Sequence, residues 1–322
     1  MEQEKLTEKK EIKRISNRVG IGLILYSLIT IIIVFADAIC RAIAVLIKTE
    51  DPVLQEQYLD IAMEKFTQEA TSMIIGVALG LLFLLLFFRK KISVKNIFQK
   101  NHSMTYRTFF LVLFVFMGVQ LPFDGVSDLL EKGLNLLGYS AVESIESMTA
   151  DSTTISMFLY AGFIGPIVEE VIYRGYVLRF FEKYNKRAAI FISALLFGIM
   201  HGNLPQSLFA MGVGFVLGYV AMEYSIVWSI VLHIFNNCLS DLLGKVFDGF
   251  GDPVKDQLIM AAMALFFIAA VVVLWKNRAE VKKYYTENCL EWKKCFYSLT
   301  SVAIIIFIVM ELAQAILMLT PL

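Results

Sequence analysis

The stretch from Val19 to Phe35 carries no charged residue, and comparable apolar stretches recur near 71–88, 107–123, 154–178, 188–201, 206–222, 225–244, 257–275 and 297–319. Segments like these leave few folding options. Their side chains must meet hydrocarbon and their backbones must satisfy their own hydrogen bonds, so each reads as a membrane-spanning helix. Composition agrees, with 58% of the 322 residues apolar, 18% charged and a mean hydropathy of +0.68. A water-soluble domain of this size has no interior large enough to hide so much apolar surface. The expected fold is therefore an all-α polytopic membrane bundle of about eight to nine transmembrane helices. The stretch 188–201 falls short of the roughly 20 residues a span needs and must borrow neighbours or sit in a thinned site.

The loops carry the orientation. With the N-terminus in the cytoplasm, the cytoplasmic segments 1–18, 89–107, 179–187, 223–225 and 276–294 hold six, six, four, no and six Lys/Arg, 22 in all. The opposite loops 48–70, 124–153, 202–205 and 241–257 hold five. Arg41 and Arg174 lie inside spans and complete the 29. That asymmetry places the N-terminus inside. The small-x-small triplet Ala36-Asp37-Ala38 resembles a signal-peptide cleavage site, but the apolar core before it is too long and its leader too mixed in charge. The first span is thus expected to stay, with Asp37 and Arg41 paired one helical turn apart.

Residues 1–18 read as a solvated cytoplasmic tail and 19–322 as a single transmembrane domain. The acidic loop 124–153 is expected to hold a short amphipathic helix over Val126–Leu137. Equal numbers of basic and acidic residues, 29 each, remove the electrostatic signature of a nucleic-acid partner. The four cysteines show no CxxC spacing, and Cys289 and Cys295 fall in a reducing segment. Gly198-x3-Gly202 and Gly214-x3-Gly218 have the small-residue spacing of close helix packing.

Ionisable residues in hydrocarbon are costly, so they mark function. They concentrate between 169 and 237: Glu169, Glu170 and Arg174 in the fourth span, Phe197 and His201 in the fifth, His233 and Asn237 in the seventh. Glu170 and Arg174 are four apart and can neutralise each other. Glu169 points about 100° away with no partner on its own helix. His233 and Asn237 share a face, as do Phe197 and His201, whose rings can pack. At 1.5 Å per residue, Glu169, His201 and His233 lie about 15, 20 and 12 Å from the cytoplasmic ends of their spans, depths that suit one cavity opening to that side. His102, Glu223, Asp241 and Asp248 read as solvated, and Glu311 in the last span has no assigned role.

A carboxylate, two imidazoles and an amide in one wet pocket suit amide hydrolysis. A carboxylate with a histidine can deprotonate a water, and a second histidine with an amide can stabilise the oxyanion. The same groups could instead hold a metal that activates the water. HExxH, its inverse and GxSxG are all missing, which removes the sequence support for ordinary zincins and for a serine nucleophile.

The ordered set EExxxR, FxxxH and HxxxN on separate spans resembles the CPBP family of intramembrane proteases, the CAAX proteases and bacteriocin-processing enzymes also called the Abi family. The resemblance covers about 150–245, a protease-like core. It implies an intramembrane endopeptidase in which Glu169 and His201 activate the water, His233 and Asn237 stabilise the oxyanion, and Glu170, Arg174 and Phe197 orient the site. The family has been described both as metal-dependent and as metal-free, so either a divalent metal such as zinc on Glu169, His201 and His233 or a glutamate mechanism is compatible. The implied substrate is a membrane-associated peptide or small protein in a cell membrane, and the short loops and Lys/Ile/Phe-rich composition suit a bacterial chain. Two other classes compete: a non-proteolytic scaffold or bacteriocin-immunity protein that binds a partner, and a transporter using Glu169 and the histidines as a proton relay. No inverted repeat supports the transporter.

Overall fold

The computed structural model describes residues 2–141 and 154–322 of the chain. It is helical almost throughout, with one two-stranded antiparallel pairing between Tyr139–Ser140 and Thr320–Pro321. Helix α1 runs unbroken from Glu2 to Lys48, so the charged N-terminal residues form its first turns. Ile12 and Ser16 there are buried, and the Ser16 hydroxyl donates to the Ser298 hydroxyl at 3.0 Å. Next come α2 (Pro52–Gln68), α3 (Thr71–Phe88), α4 (Tyr106–Gly118) and α5 (Gln120–Leu136). Then follow α6 (Ile155–Phe181), α7 (Lys186–Ile199), α8 (Leu204–Glu223) and α9 (Ile226–Phe247). The chain finishes with α10 (Asp252–Lys276), α11 (Arg278–Glu287), α12 (Trp292–Leu299) and α13 (Val302–Leu317).

Among the described residues, seven helices are long and apolar enough to span a membrane, or eight if α12 and α13 count as one. Two of the nine expected spans account for the difference. Residues 297–319 are broken near Thr300, where α12 and α13 meet at 74°. Helix α7 has only 14 residues, about 21 Å, against a hydrocarbon thickness of about 30 Å. It borrows depth from its neighbours, because the turn that ends it is covered: Asn203 is buried, and Ser127 on α5 donates to the Pro205 carbonyl at 2.8 Å. Of the acidic loop, residues 124–141 are described; the helix expected over Val126–Leu137 is the continuation of α5, and 142–153 lie outside the described residues.

The segments grouped on one side by their charge meet at one end of the bundle. Asn101 donates its N–H to the Tyr224 carbonyl at 2.8 Å, Lys183 pairs with Glu11 at 2.8 Å, and Lys294 reaches the Tyr184 carbonyl at 2.7 Å. At the other end Thr154 donates to the Gln68 carbonyl at 2.7 Å. Inside α1 the Asp37–Arg41 pair forms at 3.2 Å, and Arg41 also takes Glu69 at 2.8 Å, a partner the local spacing could not supply. Glu223 is not simply solvated. Lys186 and the Tyr284 hydroxyl each stand 3.2 Å from its Oε1, and the exposed His102 ring contacts its backbone carbonyl at 2.7 Å. Burial, with Glu223 alongside, pushes the Tyr284 phenol pKa up and keeps it a donor.

Helices α7 and α8 form an antiparallel pair, and glycine permits their contact. A Cβ on Gly198 would sit 2.5 Å from the Ser207 carbonyl oxygen, so nothing larger fits there. Gly202 turns the chain with φ +61°, a left-handed conformation that favours glycine.

Candidate active site

The fourth span is not a regular helix. Tyr160–Ile164 and Val171–Val177 are wound as π-helical turns on either side of Gly165–Glu170. Such widened turns release carbonyls from the regular ladder. The Gly165 N–H goes back to Tyr160, and Pro166, five residues after Ala161, has no N–H to give. The Ala161 carbonyl instead accepts the Asn237 side-chain amide at 2.8 Å. The Tyr173 carbonyl accepts both the Leu178 N–H and, at 2.8 Å, the Ser193 hydroxyl of α7. The odd winding therefore docks α7 and α9 onto the carboxylate-bearing helix.

Glu170 and Arg174 are fully buried and pair at 2.9 Å. Arg174 also donates to the Gly214 carbonyl at 3.2 Å and lies over the Phe197 ring, 4.2 Å from its centroid. The Glu170 carboxylate has further partners on α9: His233 Nδ1 at 3.0 Å, and the Ser229 hydroxyl, which donates to it. A buried carboxylate held by a guanidinium, an imidazole and a hydroxyl has the paired environment that buried charge requires.

Glu169 points elsewhere, as its spacing predicts. Its side chain is 18% exposed, and its carboxylate lies 3.7 Å from His233 Nε2. His233 thus stands between the two adjacent glutamates, with one ring nitrogen toward each. The 3.7 Å gap is too long for a direct hydrogen bond. His201, half-buried at the end of α7, has Nδ1 2.8 Å from the Phe197 carbonyl. A carbonyl only accepts, so Nδ1 carries the proton and Nε2 of the neutral ring is left as an acceptor. Phe197 contacts both imidazoles edge-to-face, with centroids 5.0 Å from His201 and 5.8 Å from His233, and meets Tyr173 at 5.5 Å. One aromatic ring therefore spaces the two histidines.

Asn237 accepts from the Asn236 amide at 3.3 Å, and Asn236 in turn accepts from Gln120 of α5 at 2.7 Å. Ser229, Asn236 and Gln120 did not stand out in the sequence. Ser229 was detectable in principle, since it lies one helical turn before His233 on the same face. Gln120 has no local signal beyond being an uncharged polar residue inside an apolar run. Two cavities, of about 700 and 620 Å³, lie elsewhere, and none of these residues lines them. Among the described residues, no group of three His, Cys, Asp or Glu side chains is placed to hold a metal ion. His233 turns Nδ1 to Glu170 and keeps Nε2 toward Glu169, and a carboxylate on the far ring nitrogen is the partner that orients either a water-binding or a metal-binding imidazole.

Residues 151–239 match the family described as Type II CAAX prenyl endopeptidase Rce1-like. A second similarity is to YdiL of Bacillus subtilis (strain 168), a candidate membrane peptidase by name, at 31% identity over 83 residues. That match covers 25% of this chain and 34% of the relative, so the chain spans about a third of the protein it resembles. No solved structure matches. The stretch 151–239, over which the chain is similar to the Rce1-like family, includes every candidate residue from Glu169 to Asn237.

Proposed function

We propose that the protein is an intramembrane endopeptidase that hydrolyses a peptide bond of a membrane-associated peptide or small protein, with its N-terminus in the cytoplasm. The observation that carries this reading is His233 standing between two glutamates of unlike surroundings, 3.0 Å from the buried Glu170 and 3.7 Å from the partly exposed Glu169. Glu170, held by Arg174 and Ser229, fixes the ring. Glu169 is the carboxylate left to act on substrate.

In this mechanism a water donates to Glu169 and to the acceptor nitrogen of His201. Its oxygen attacks the peptide carbonyl carbon while its proton passes to the Glu169 carboxylate. The carbonyl oxygen gains charge and is met by the Asn237 amide and by His233, which gives Nδ1–H to Glu170 and, as an imidazolium between the two carboxylates, donates from Nε2 as well. Collapse breaks the C–N bond, and Glu169 returns the proton to the departing amine. No step is routed through a metal. The cytoplasmic placement of the N-terminus rests on the asymmetry of basic residues, 22 on one side against five on the other.

The test is cleavage of a membrane-peptide library by purified protein in liposomes, comparing wild type, Glu169→Ala and His201→Ala, each with and without chelator. Cleavage by wild type that both substitutions abolish, at unchanged expression and thermal stability, is the expected result. Cellular function that survives both substitutions would overturn the reading and leave a partner-binding scaffold. The chelator arm reads metal dependence directly.

A further inference from the structure

The cavity of about 620 Å³ shares no lining residue with the candidate active site and has a different character. It opens between the start of α1, the turn after α3 and the end of α6. Arg14, Arg18, Lys91, Arg179 and Lys183 line it, with Glu11 as the only acid. Lys183 is committed to Glu11 at 2.8 Å and Arg179 to Glu182 at 2.6 Å, which leaves Arg14, Arg18 and Lys91 as three further cations around one hollow. These residues come from three separate basic segments, 1–18, 89–107 and 179–187, which the fold brings to one place. Positive-inside charge ordinarily spreads over a loop surface; here it encloses a volume within the range of about 300–1,000 Å³ typical of small-ligand sites.

Two of the cations are anchored rather than free to swing away. Arg179 is buried, donating to the Ala221 carbonyl at 3.0 Å and pairing with Glu182 at 2.6 Å. Arg18 lies over the Phe87 ring, 5.5 Å from its centroid, and reaches the Phe87 carbonyl at 3.4 Å. The Nε atoms of both arginines are buried without an acceptor among the described residues. Like charges fixed close together repel unless an anion lies between them. Apart from Asn17 the rest of the wall is apolar, with Ile15, Ile21 and Phe87 continuing the cavity toward the membrane-facing part of α1 and α3.

We propose that this cavity binds a phosphate-bearing anion, and that the occupant in the membrane is the headgroup of an anionic phospholipid with an acyl chain along Ile21 and Phe87. Guanidinium forks and ammonium groups together are the donors that phosphate oxygens require. A basic pocket between helix ends on the cytoplasmic side is where a phospholipid headgroup arrives. The same donors would take free phosphate, so the experiment separates the two sources. Arg179 lies ten residues after Glu169 on α6, so the site would anchor the helix that carries the catalytic carboxylate.

The test uses the full-length protein and native mass spectrometry, with delipidated protein exposed to equal amounts of phosphatidylglycerol and phosphatidylcholine. The probe variant is Arg14→Gln with Lys91→Gln, two exposed residues outside the catalytic machinery. Its control is Lys282→Gln with Lys283→Gln, equal in charge but away from the cavity. Wild type and control are expected to retain phosphatidylglycerol preferentially, and the probe variant to lose that preference by about tenfold or more. A thermal-unfolding arm adds millimolar inorganic phosphate at constant ionic strength. Stabilisation of wild type but not of the probe variant, without a lipid preference, would assign the site to free phosphate. Equal retention of both lipids with no phosphate effect would overturn the proposal. So would a preference that survives in the probe variant or falls equally in the control.

Discussion

Replacing Gly198 by alanine tests how the α7–α8 contact sets the site. The new Cβ would meet the Ser207 carbonyl oxygen at 2.5 Å and the Met211 Cβ at 2.9 Å, whereas ordinary contact begins at 3.4 Å. The helices must part by about 0.9 Å at that point, and the obstructing oxygen is backbone, which cannot rotate aside. Overpacking of this kind costs about 1–3 kcal/mol. Alanine recovers up to about 1 kcal/mol of helix propensity. The net expected loss is about 1–2 kcal/mol. Gly125 on α5 provides the control, since a Cβ there meets nothing within 4 Å, and Gly125→Ala should gain up to about 1 kcal/mol. The two variants should therefore differ by about 1–3 kcal/mol in opposite directions, read as denaturant or thermal midpoints in detergent. Because His201 follows Gly198 by three residues, the same parting should also lower peptide cleavage. A Gly198→Ala protein as stable as Gly125→Ala would refute the reasoning about helix contact.

Arg174→Ala leaves Glu170 buried with two of its three partners, and a loss of about 3–5 kcal/mol is expected, measured by unfolding. Arg174→Lys should recover little, because one ammonium cannot reach Glu170 and the Gly214 carbonyl as a fork does. Ser229→Ala removes a hydroxyl that donates to a charged carboxylate and should cost about 1.5–3 kcal/mol; with His233 less firmly held, kcat should fall more than KM. Asn237→Ala releases the Ala161 carbonyl and removes an oxyanion donor, so kcat should drop by about 10²–10³. A rise in KM with kcat unchanged would contradict that role.

What the sequence made readable follows from what a helix makes local. The Glu170–Arg174 and Asp37–Arg41 pairs were visible because one turn of a helix brings their side chains together. The grouping of basic loops was visible because charge avoids hydrocarbon, and the five segments do meet at one end of the bundle. The contact from Glu170 to His233 was not visible, since it depends on how α6 and α9 cross and no spacing within either helix encodes that. The partners Ser229, Gln120 and Asn236 were hidden for the same reason. Of the nine apolar stretches behind an expected eight to nine spans, seven or eight are long enough to cross a membrane, because apolarity does not report length once neighbours lend cover, as the buried end of α7 shows. The break near Thr300 was missed because Ser298, Thr300 and Ser301 look like ordinary polar residues in an apolar run, yet the chain turns by 74° there. Glu223 read as solvated because its partners Lys186, His102 and Tyr284 arrive from three distant segments.

The widened turns of α6 give the chain an unusual tolerance map. Where neighbouring helices hold a span by side chains, substitution can loosen it and insertion elsewhere is absorbed by the loops. Here part of the grip is on main-chain oxygens, those of Ala161 and Tyr173, which every residue type carries. Point substitutions in 160–164 or 171–177 therefore leave the sockets in place. A single-residue deletion in either segment would restore regular winding and turn everything beyond it by about 100°, carrying the Ala161 or Tyr173 carbonyl away from its partner on α9 or α7. At the positions of these two widened turns other than Tyr173 and Arg174, the count of residues is therefore under tighter constraint than their identity, and a library of one-residue deletions would show it where an alanine scan would not.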